Sequence, residues 1–190
     1  QGGGRYAGFT SRRELIFTEI LHMMSASLAA LSRGTGDDKY LDEALRLFRY
    51  IKSVHMNDNG LICQCSRLGA PVSANWSRGA GHALVGVSYL LEEMPSKHPA
   101  RPELLAFLQR AADGLHRVQD PQTGLWRNVL DHPEARLESS GTSKFVTVFA
   151  RALNAGWIKS DDIGEMVRFG ASGLKRLVWR GGLAASCRGT

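Results

Sequence analysis

The sequence lacks any long hydrophobic run, since its longest, Ala83–Leu91, is interrupted by Gly86 and Ser88. A membrane-spanning helix needs about 20 consecutive apolar residues, so the sequence predicts no membrane span. Clusters of basic residues are also missing: 24 lysines and arginines against 18 acidic residues give a net charge of +6, but they are scattered singly or in pairs. Without a basic stripe or a known recognition motif, this charge indicates a mildly basic surface and no nucleic-acid partner.

Cysteine is scarce, with only Cys63, Cys65 and Cys187. An odd number without regular spacing argues against a disulfide framework. The single residue between Cys63 and Cys65 is not the two-residue gap usual for zinc, so no metal site is predicted. We expect reduced, structural thiols, which slightly favour a cytoplasmic location. Because the first residue is Gln1 and not Met, a secretion signal upstream stays open.

Sustained strand-like alternation is nearly absent, whereas helical periodicity is strong, so the predicted fold class is all-α. The composition, 43% hydrophobic and 22% charged over 190 residues, is typical of one folded domain. Asp161 is predicted to cap the last helix, with Asp162 in its first turn. The six predicted helices are Glu14–Ser32, Tyr40–His55, Gly79–Met94, Arg101–Gln119, Thr142–Ala155 and Asp161–Val178.

A short turn ending in Gly-Leu follows every second predicted helix. Its glycines, Gly60, Gly124 and Gly182, are 64 and 58 residues apart. Repetition at this scale predicts three stacked helical hairpins. Each hairpin must bury its apolar face on neighbouring hairpins. The first helix is as apolar as a helix inside such an array, since it carries Leu21, Met23, Met24, Leu28 and Leu31. We therefore expect residues 1–190 to be a single incomplete domain from a closed ring of hairpins, with both flanks outside the sequence.

A cluster of aromatic, cationic and imidazole side chains opens the third helix, where Trp76, Arg78 and His82 surround Gly79 and Gly81. A helix N-terminus offers free N–H donors and a partial positive charge, which suit an anion. Arg78 could hold a carboxylate through two parallel hydrogen bonds, and Trp76 offers an apolar face for a sugar ring. The alternative is structural, with Trp76 packed in the core and Arg78 capping a carbonyl.

Glu19 and His22 lie one helical turn apart and so share a face with Met23. A partly buried carboxyl on such a face would suit a general acid, because burial disfavours the charged form. The residues alone favour the simpler interpretation of a surface glutamate beside an ordinary histidine. A further segment, Leu137–Thr142, precedes the fifth helix, and by itself it is typical of a plain helix cap with small residues.

Taken in order, these segments resemble glycoside hydrolase family 105, the unsaturated rhamnogalacturonyl hydrolases, and more distantly the unsaturated glucuronyl hydrolases of family 88. The resemblance extends from about residue 17 to residue 190, and no single motif decides it. It is carried by Glu19-Ile20-Leu21-His22, Thr35–Ala44, Trp76–His82, Gln119-Asp120-Pro121 with Gly124-Leu125-Trp126, Leu137–Thr142 and Cys187–Thr190.

This resemblance implies an (α/α)6 barrel, six helical hairpins in a ring, of which the chain would supply three. It also implies hydrolysis of a 4,5-unsaturated galacturonyl or glucuronyl residue from the non-reducing end of lyase-generated oligosaccharides. A carboxylic acid would protonate the vinyl ether and water would add at the neighbouring carbon, without a metal or cofactor. The implied partner is an unsaturated acidic oligosaccharide, with no nucleic acid and no membrane, and the oligomeric state is left open.

The resemblance also implies roles for individual residues. Glu19 falls at the position of the catalytic carboxyl, as proton donor and then activator of water. Arg78 would face the substrate carboxylate, and Trp76 would pack on the sugar. The other implied substrate-binding residues are His22, Gln64, His82 and Thr142.

Three positions depart from the family pattern: Gln64 stands where a histidine is expected, Ala80 replaces an asparagine and His82 replaces a tryptophan. Glutamine cannot transfer a proton, and loss of the aromatic ring weakens stacking. Two alternatives therefore remain beside the enzyme: a catalytically degenerate toroid that binds acidic saccharides or acts as a scaffold, and a helical-repeat interaction module.

Overall fold

The computed structural model describes residues 15–179 and 182–183. Within them the six helices are α1 (Glu19–Thr35), α2 (Lys39–His55), α3 (Ser77–Glu93), α4 (Arg101–Arg117), α5 (Ser139–Asn154) and α6 (Asp161–Arg176). Short strands stand between them: β1 (Leu15–Phe17), β2 (Cys65–Arg67), β3 (Ala70–Pro71), β4 (Trp126–Arg127), β5 (Leu137–Glu138), β6 (Val178–Trp179) and β7 (Gly182–Leu183). In this part of the chain no helix is long and apolar enough to span a membrane. Cys187 lies outside the described residues.

The helices pair into three hairpins, α1 with α2, α3 with α4 and α5 with α6. One helix of each hairpin packs on the next, so that α1, α3 and α5 form a continuous inner layer. Helices α2, α4 and α6 lie outside it. The N-termini of the inner helices lie at one end of this layer, because Thr18 at the start of α1 donates to the Gly79 carbonyl on α3 and Ser77 at the start of α3 donates to Glu138 at the start of α5. This end carries the candidate site.

The prediction that the first helix begins at Glu14 was wrong over Leu15–Phe17, which forms β1. This strand pairs antiparallel with β2, with Ile16 opposite Ser66 and Phe17 opposite Cys65. The alternating Leu-Ile-Phe segment buries Ile16 between two half-exposed neighbours, as an edge of a three-stranded sheet requires. Three residues are too few for such alternation to be separated from the helical pattern that follows.

The repeated Gly-Leu turns pack on glycines of the following outer helix. Gly60 and Gly124 both have positive φ, +81° and +76°, which favours glycine. The Gly60 turn lies against Gly114 on α4, and the Gly124 turn lies against Gly173 on α6. The same contact therefore recurs in successive hairpins, which confirms the helical-hairpin repeat within the described residues.

Equivalent arginines fasten these turns. Arg117 Nη2 donates to the Asn59 carbonyl at 2.6 Å, and Arg176 Nη2 donates to the Thr123 carbonyl at 2.6 Å. Each arginine stands three residues after the glycine that receives the turn, so Gly-Leu-x-Arg is a second repeated motif.

The hydrophobic core fills the space between inner and outer helices. Phe48 and Phe107 meet edge to face at 5.3 Å between ring centroids, and Trp126 and Phe145 do so at 5.4 Å. The buried Trp126 indole satisfies its N–H by donating to the Leu115 carbonyl at 2.8 Å. This packing fixes the inner helices, and with them the site at their N-termini.

A buried histidine joins α2 to the sheet. His55 Nδ1 donates to the Cys63 carbonyl at 3.0 Å, and Nε2 accepts from the Ser66 hydroxyl at 3.0 Å. Tyr50 and Ser66 lie 2.9 Å apart at their hydroxyls, and the tyrosine proton completes the chain toward His55. Burial lowers the pKa of His55, which holds it in the neutral form. Cys63 and Cys65 are buried free thiols, as expected.

Candidate active site

Glu19 is the first residue of α1, and its backbone position is fixed by Thr18. The buried Thr18 donates its N–H to the Gln64 carbonyl at 2.9 Å and its hydroxyl to the Gly79 carbonyl at 2.9 Å. The same hydroxyl lies 3.4 Å from Glu19 Oε2. Thr18 therefore ties the starts of α1 and α3 together, a role that the sequence analysis missed because its partners lie far along the chain.

Gln64 contacts the predicted catalytic carboxyl directly. Its side-chain Nε2 donates to Glu19 Oε1 at 2.7 Å. The Gln64 side chain lies against Gly79, where a Cβ would come within 2.7 Å of Gln64 Cγ, so glycine at that position is what leaves room for it. Gln64 thus orients the Glu19 carboxyl through one oxygen without being able to exchange a proton with it.

Trp76 and Arg78 form a half-exposed pair at the start of α3. The Arg78 guanidinium lies over the Trp76 ring at 5.8 Å from its centroid, within the range of a cation–π contact. Trp76 is only half-buried, so the alternative of a core tryptophan was wrong. Both side chains remain available to a ligand at this end of the inner layer.

His22 and His82 form a hydrogen-bonded imidazole pair between α1 and α3. Their Nδ1 atoms lie 2.7 Å apart and their ring centroids 5.0 Å apart. One Nδ1 must donate and the other must accept, so at least one ring is neutral. His22 also contacts the Tyr89 ring, at 5.8 Å between centroids. The sequence analysis placed both histidines at the site but did not predict their contact.

Lys144, on α5, lowers the pKa of both imidazoles through its charge. Burial and then the Lys144 charge lower the pKa of His22. The same two causes lower the pKa of His82, against an opposing effect of Glu19 and with smaller contributions from His22 and Arg78. The imidazole pair therefore interacts electrostatically with the Lys144 ammonium, the Glu19 carboxyl and the Arg78 guanidinium.

Glu138 confirms the helix-cap interpretation of Leu137–Thr142. Its carboxylate accepts from the backbone N–H of Ser140 and of Gly141, at 3.0 and 2.6 Å, and from the Ser140 hydroxyl. It also accepts from the Ser77 hydroxyl at 3.2 Å, which ties the start of α5 to the start of α3. Glu138 is buried, so it positions helices and does not face the site.

Thr142 does not join this group. It is 0% exposed, its hydroxyl donates to the Glu138 carbonyl at 2.6 Å, and it accepts from the Trp126 N–H at 3.0 Å. These contacts hold β4 and β5 against α5 and leave no part of the side chain accessible to a ligand. The substrate-binding role predicted for Thr142 is therefore replaced by a structural one.

Met23 also departs from the sequence-based argument, since 71% of its surface is exposed. It therefore does not bury Glu19, whose partial burial comes from Thr18 and Gln64.

Among the residues described, no three histidine, cysteine, aspartate or glutamate side chains are grouped as metal ligands.

The six helices and the strands β1 to β6 lie within a match to one protein family. The model of Glycosyl Hydrolase Family 88 matches residues 12–182. The chain is 26% identical over 170 residues to an unsaturated 3S-rhamnoglycuronyl hydrolase from Alteromonas sp. (strain LOR). That alignment covers 85% of this chain but 41% of the relative, so the chain spans less than half the length of the curated relative.

Solved structures share the fold. A possible member of family GH105 from Salmonella enterica superimposes with a TM-score of 0.84 at 20% identity, over 93% of this chain and 48% of that one. An unsaturated glucuronyl hydrolase from Bacillus sp. GL1, responsible for the degradation of glycosaminoglycan, superimposes with a TM-score of 0.69 at 13% identity. That superposition covers 90% of this chain and 48% of the hydrolase. The prediction of an (α/α)6 barrel, of which this chain supplies three hairpins, is confirmed.

Proposed function

Because the chain belongs to Glycosyl Hydrolase Family 88, we propose that its protein hydrolyses a 4,5-unsaturated uronic acid from the non-reducing end of an oligosaccharide, with Glu19 as the acid and base. The observation that carries the proposal is the Glu19 carboxyl, oriented by the 2.7 Å hydrogen bond from Gln64 at the end of the inner helical layer where Arg78 and Trp76 also lie. The name of the Alteromonas relative, an unsaturated rhamnoglycuronyl hydrolase, supports the same substrate class.

The proposed reaction is hydration of a vinyl ether. The protonated Glu19 carboxyl gives its proton to C4 of the sugar, and positive charge develops at C5 and the ring oxygen. A water oxygen then bonds to C5 while its proton returns to Glu19. The hemiketal so formed opens and releases the linked sugar. One carboxyl thus serves as general acid and then as general base.

The arrangement of Glu19 suits a single group that transfers protons in both directions. Gln64 holds Oε1 by donating a hydrogen bond, which leaves Oε2 beside the Thr18 hydroxyl at 3.4 Å. An amide that only donates to the carboxyl fixes its orientation and does not compete for its proton. Reacting groups held in this way need little rearrangement in the transition state.

Arg78 and Trp76 supply binding in this proposal. A uronate carries a carboxylate at C5, and a guanidinium can hold it through two parallel hydrogen bonds. Because Arg78 already lies over the Trp76 ring, its charge and the apolar ring face occupy neighbouring positions. A flat, partly unsaturated sugar ring could then pack on the indole while its carboxylate meets the guanidinium. The sugar is galacturonyl or glucuronyl, and rhamnose is the first candidate for the linked residue.

A second candidate function is binding of acidic saccharides without turnover. It is favoured by one observation, that the side chains at two of the three departing positions, Gln64 and His82, are hydrogen-bonded to Glu19 and His22 in the fold itself. Retention of Arg78 and Trp76 is compatible with either function.

Two measurements on the full-length protein separate these functions. Loss of the C=C ultraviolet absorbance reports hydration of an unsaturated disaccharide, and calorimetry reports its binding. We expect absorbance to fall with time and the saturated counterpart to remain intact, because it has no vinyl ether to protonate. Binding without loss of absorbance would establish the second candidate, and neither binding nor loss would contradict both.

A further inference from the structure

His55, the last residue of α2, is 0% exposed and has no part in the reaction proposed above. It lies beside the segment that carries Gln64, whose amide orients the Glu19 carboxyl. Burial lowers the pKa of His55, and the Cys63 carbonyl and the Glu19 charge oppose this effect. A buried imidazole therefore stands within electrostatic reach of the proposed catalytic carboxyl.

His55 holds both backbone groups of the residue before Gln64. The Cys63 N–H donates to the His55 carbonyl at 2.9 Å, and His55 Nδ1 donates to the Cys63 carbonyl at 3.0 Å. That carbonyl belongs to the planar peptide unit that joins Cys63 to Gln64. Fixing its oxygen therefore fixes the Gln64 backbone, and with it the direction in which the Gln64 side chain leaves the chain.

The other polar atom of the same peptide unit has a longer hydrogen bond. The Gln64 N–H donates to the Ala74 carbonyl at 3.3 Å, against 3.0 Å for the bond from His55 to the peptide oxygen. The imidazole thus supplies the shorter of the two hydrogen bonds that set the tilt of this peptide unit.

The second imidazole nitrogen holds the segment on the far side of Gln64. His55 Nε2 accepts from the Ser66 hydroxyl at 3.0 Å, and the Tyr50 hydroxyl, 2.9 Å from that of Ser66, supplies the next proton. The two nitrogens of one side chain therefore contact residues 63 and 66, which stand on either side of Gln64.

We propose that His55 is a positioning residue for the reaction: by holding the peptide unit before Gln64, it sets the direction of the Gln64 amide and so the orientation of the Glu19 carboxyl. The proposal rests on the function proposed above. Because His55 is buried, it contacts neither the sugar nor the reacting atoms. Its loss should therefore lower kcat and leave KM unchanged, since substrate binding is assigned to Arg78 and Trp76.

Two amide substitutions separate the two contacts of the imidazole. In His55→Asn the side-chain N–H₂ lies near the position of Nδ1 and can still donate to the Cys63 carbonyl, whereas the Ser66 contact is lost. In His55→Gln the longer side chain places its amide near the position of Nε2, where it can meet Ser66 and leaves the Cys63 carbonyl unpaired.

The loss of C=C absorbance of an unsaturated disaccharide gives kcat and KM for both variants of the full-length protein. We expect kcat to fall about tenfold in His55→Gln, as for loss of a hydrogen bond to a charged group, and to stay within about threefold of wild type in His55→Asn. KM should be that of wild type in both. The exposed His116→Gln near the end of α4 is the control and should retain wild-type kcat.

A merely structural role predicts a different result. Loss of activity would then follow loss of stability, measured by urea denaturation, and would not depend on which imidazole nitrogen is replaced. Equal kcat in His55→Asn and His55→Gln would overturn the positioning role, and so would a rise in KM that accounts for the whole loss of kcat/KM.

A double-mutant cycle tests whether His55 acts through Gln64. In Gln64→Ala the amide is already absent, so adding His55→Gln should cause no further fall in kcat. A fall by the same factor in both backgrounds would show that His55 acts independently of Gln64 and would overturn the proposal.

A last test needs no turnover. The side-chain amide ¹H–¹⁵N spectrum reports the hydrogen bond from Gln64 to Glu19, because a proton donated to a carboxylate resonates downfield of a free amide proton. The signal is assigned by its absence from Gln64→Ala. We expect it downfield in wild type and in His55→Asn and at the free-amide position in His55→Gln, with the exposed Gln122 amide unchanged.

The spectrum also keeps the two proposals apart. If no disaccharide is cleaved, the proposed function fails and the spectrum alone decides whether His55 positions the Gln64 amide. A Gln64 signal at the same position in wild type, His55→Asn and His55→Gln would overturn the positioning role, whatever the activity.

Discussion

The side-chain amide of Gln64 donates a 2.7 Å hydrogen bond to Glu19 Oε1 across 45 residues of sequence. This contact links the loop after α2 to the first residue of α1. The Gln64 side chain also packs against Gly79 on α3. The carboxyl is consequently fixed by the packing of three elements and does not depend on the conformation of α1 alone.

Removal of the Gln64 amide should lower turnover more than stability. In Gln64→Ala the Glu19 carboxyl loses a charge-assisted donor, and we expect kcat for the unsaturated disaccharide to fall about tenfold or more. Circular dichroism should show an unchanged helix content. Gln122→Ala, an exposed glutamine in the turn after α4, is the matched control and should retain wild-type kcat. An unchanged kcat in Gln64→Ala would show that Glu19 is oriented by other contacts.

The glycines that receive the repeated turns should not tolerate a methyl group. In Gly114→Ala the new Cβ would lie 2.7 Å from the Asn59 carbonyl oxygen, a backbone atom that can move only with its turn. We expect the free energy of unfolding to fall by about 1–3 kcal/mol, as measured by urea denaturation. Gly34→Ala, in open space near the end of α1, is the control and should gain up to about 1 kcal/mol. Effects of the same sign in both variants would contradict the packing described.

Loss of the Glu138 carboxylate should loosen the start of α5. Gln at this position would present an amide N–H₂ to the N–H and O–H donors of Gly141, Ser140 and Ser77. We expect Glu138→Gln to lower the free energy of unfolding by about 1–3 kcal/mol, because a buried charged acceptor is lost. The exposed Glu134→Gln is the control. If both variants melt at the wild-type temperature, Glu138 is not the cap that joins α3 to α5.

Stability should fall as the pH is lowered below about 6.5. Burial lowers the pKa of His55, His22 and His82 below the ordinary value of 6.5, so the unfolded chain takes up protons in this window before the folded protein does. The stability contributed by the neutral histidines is complete above pH 6.5 and decreases as the pH falls toward their folded-state pKa values. Below those values it does not change further. Urea denaturation at pH 7.5, 6.5 and 5.5 measures it, with the exposed His132→Gln as control. Stability that stays level or rises on acidification would contradict neutral, buried imidazoles.

The helices could be predicted from the sequence because each buries one continuous face. The period of apolar residues gave α2 and α4 to within two residues at each end. Caps were less certain: Asp161 was predicted to cap α6, but the hydroxyl of the preceding Ser160 accepts from the Ile163 N–H at 3.3 Å. Both residue types cap helices well, so local sequence does not choose between them.

Contacts across the hairpins could not be predicted, because they depend on how separate helices meet. The sequence placed Glu19 and His22 on one face, yet their partners Gln64 and His82 come from other elements. Lys144 was missed altogether, since only the close passage of α5 over Gly81 brings it to the site. One signal was available and unused: the repeat of Gly-Leu-x-Arg at Gly114 and Gly173 marks where the turns pack.

The central claim is that Glu19 transfers the proton to the sugar, and Glu19→Gln tests it most directly. The amide has nearly the same shape and can still accept from Gln64, but it cannot donate a proton to carbon. The measurement is the rate at which the C=C absorbance of an unsaturated disaccharide decays at saturating substrate, with the exposed Glu165→Gln on α6 as the matched control. We predict a fall in kcat of at least about a hundredfold for Glu19→Gln and a wild-type kcat for Glu165→Gln. A wild-type decay rate in Glu19→Gln would contradict the account.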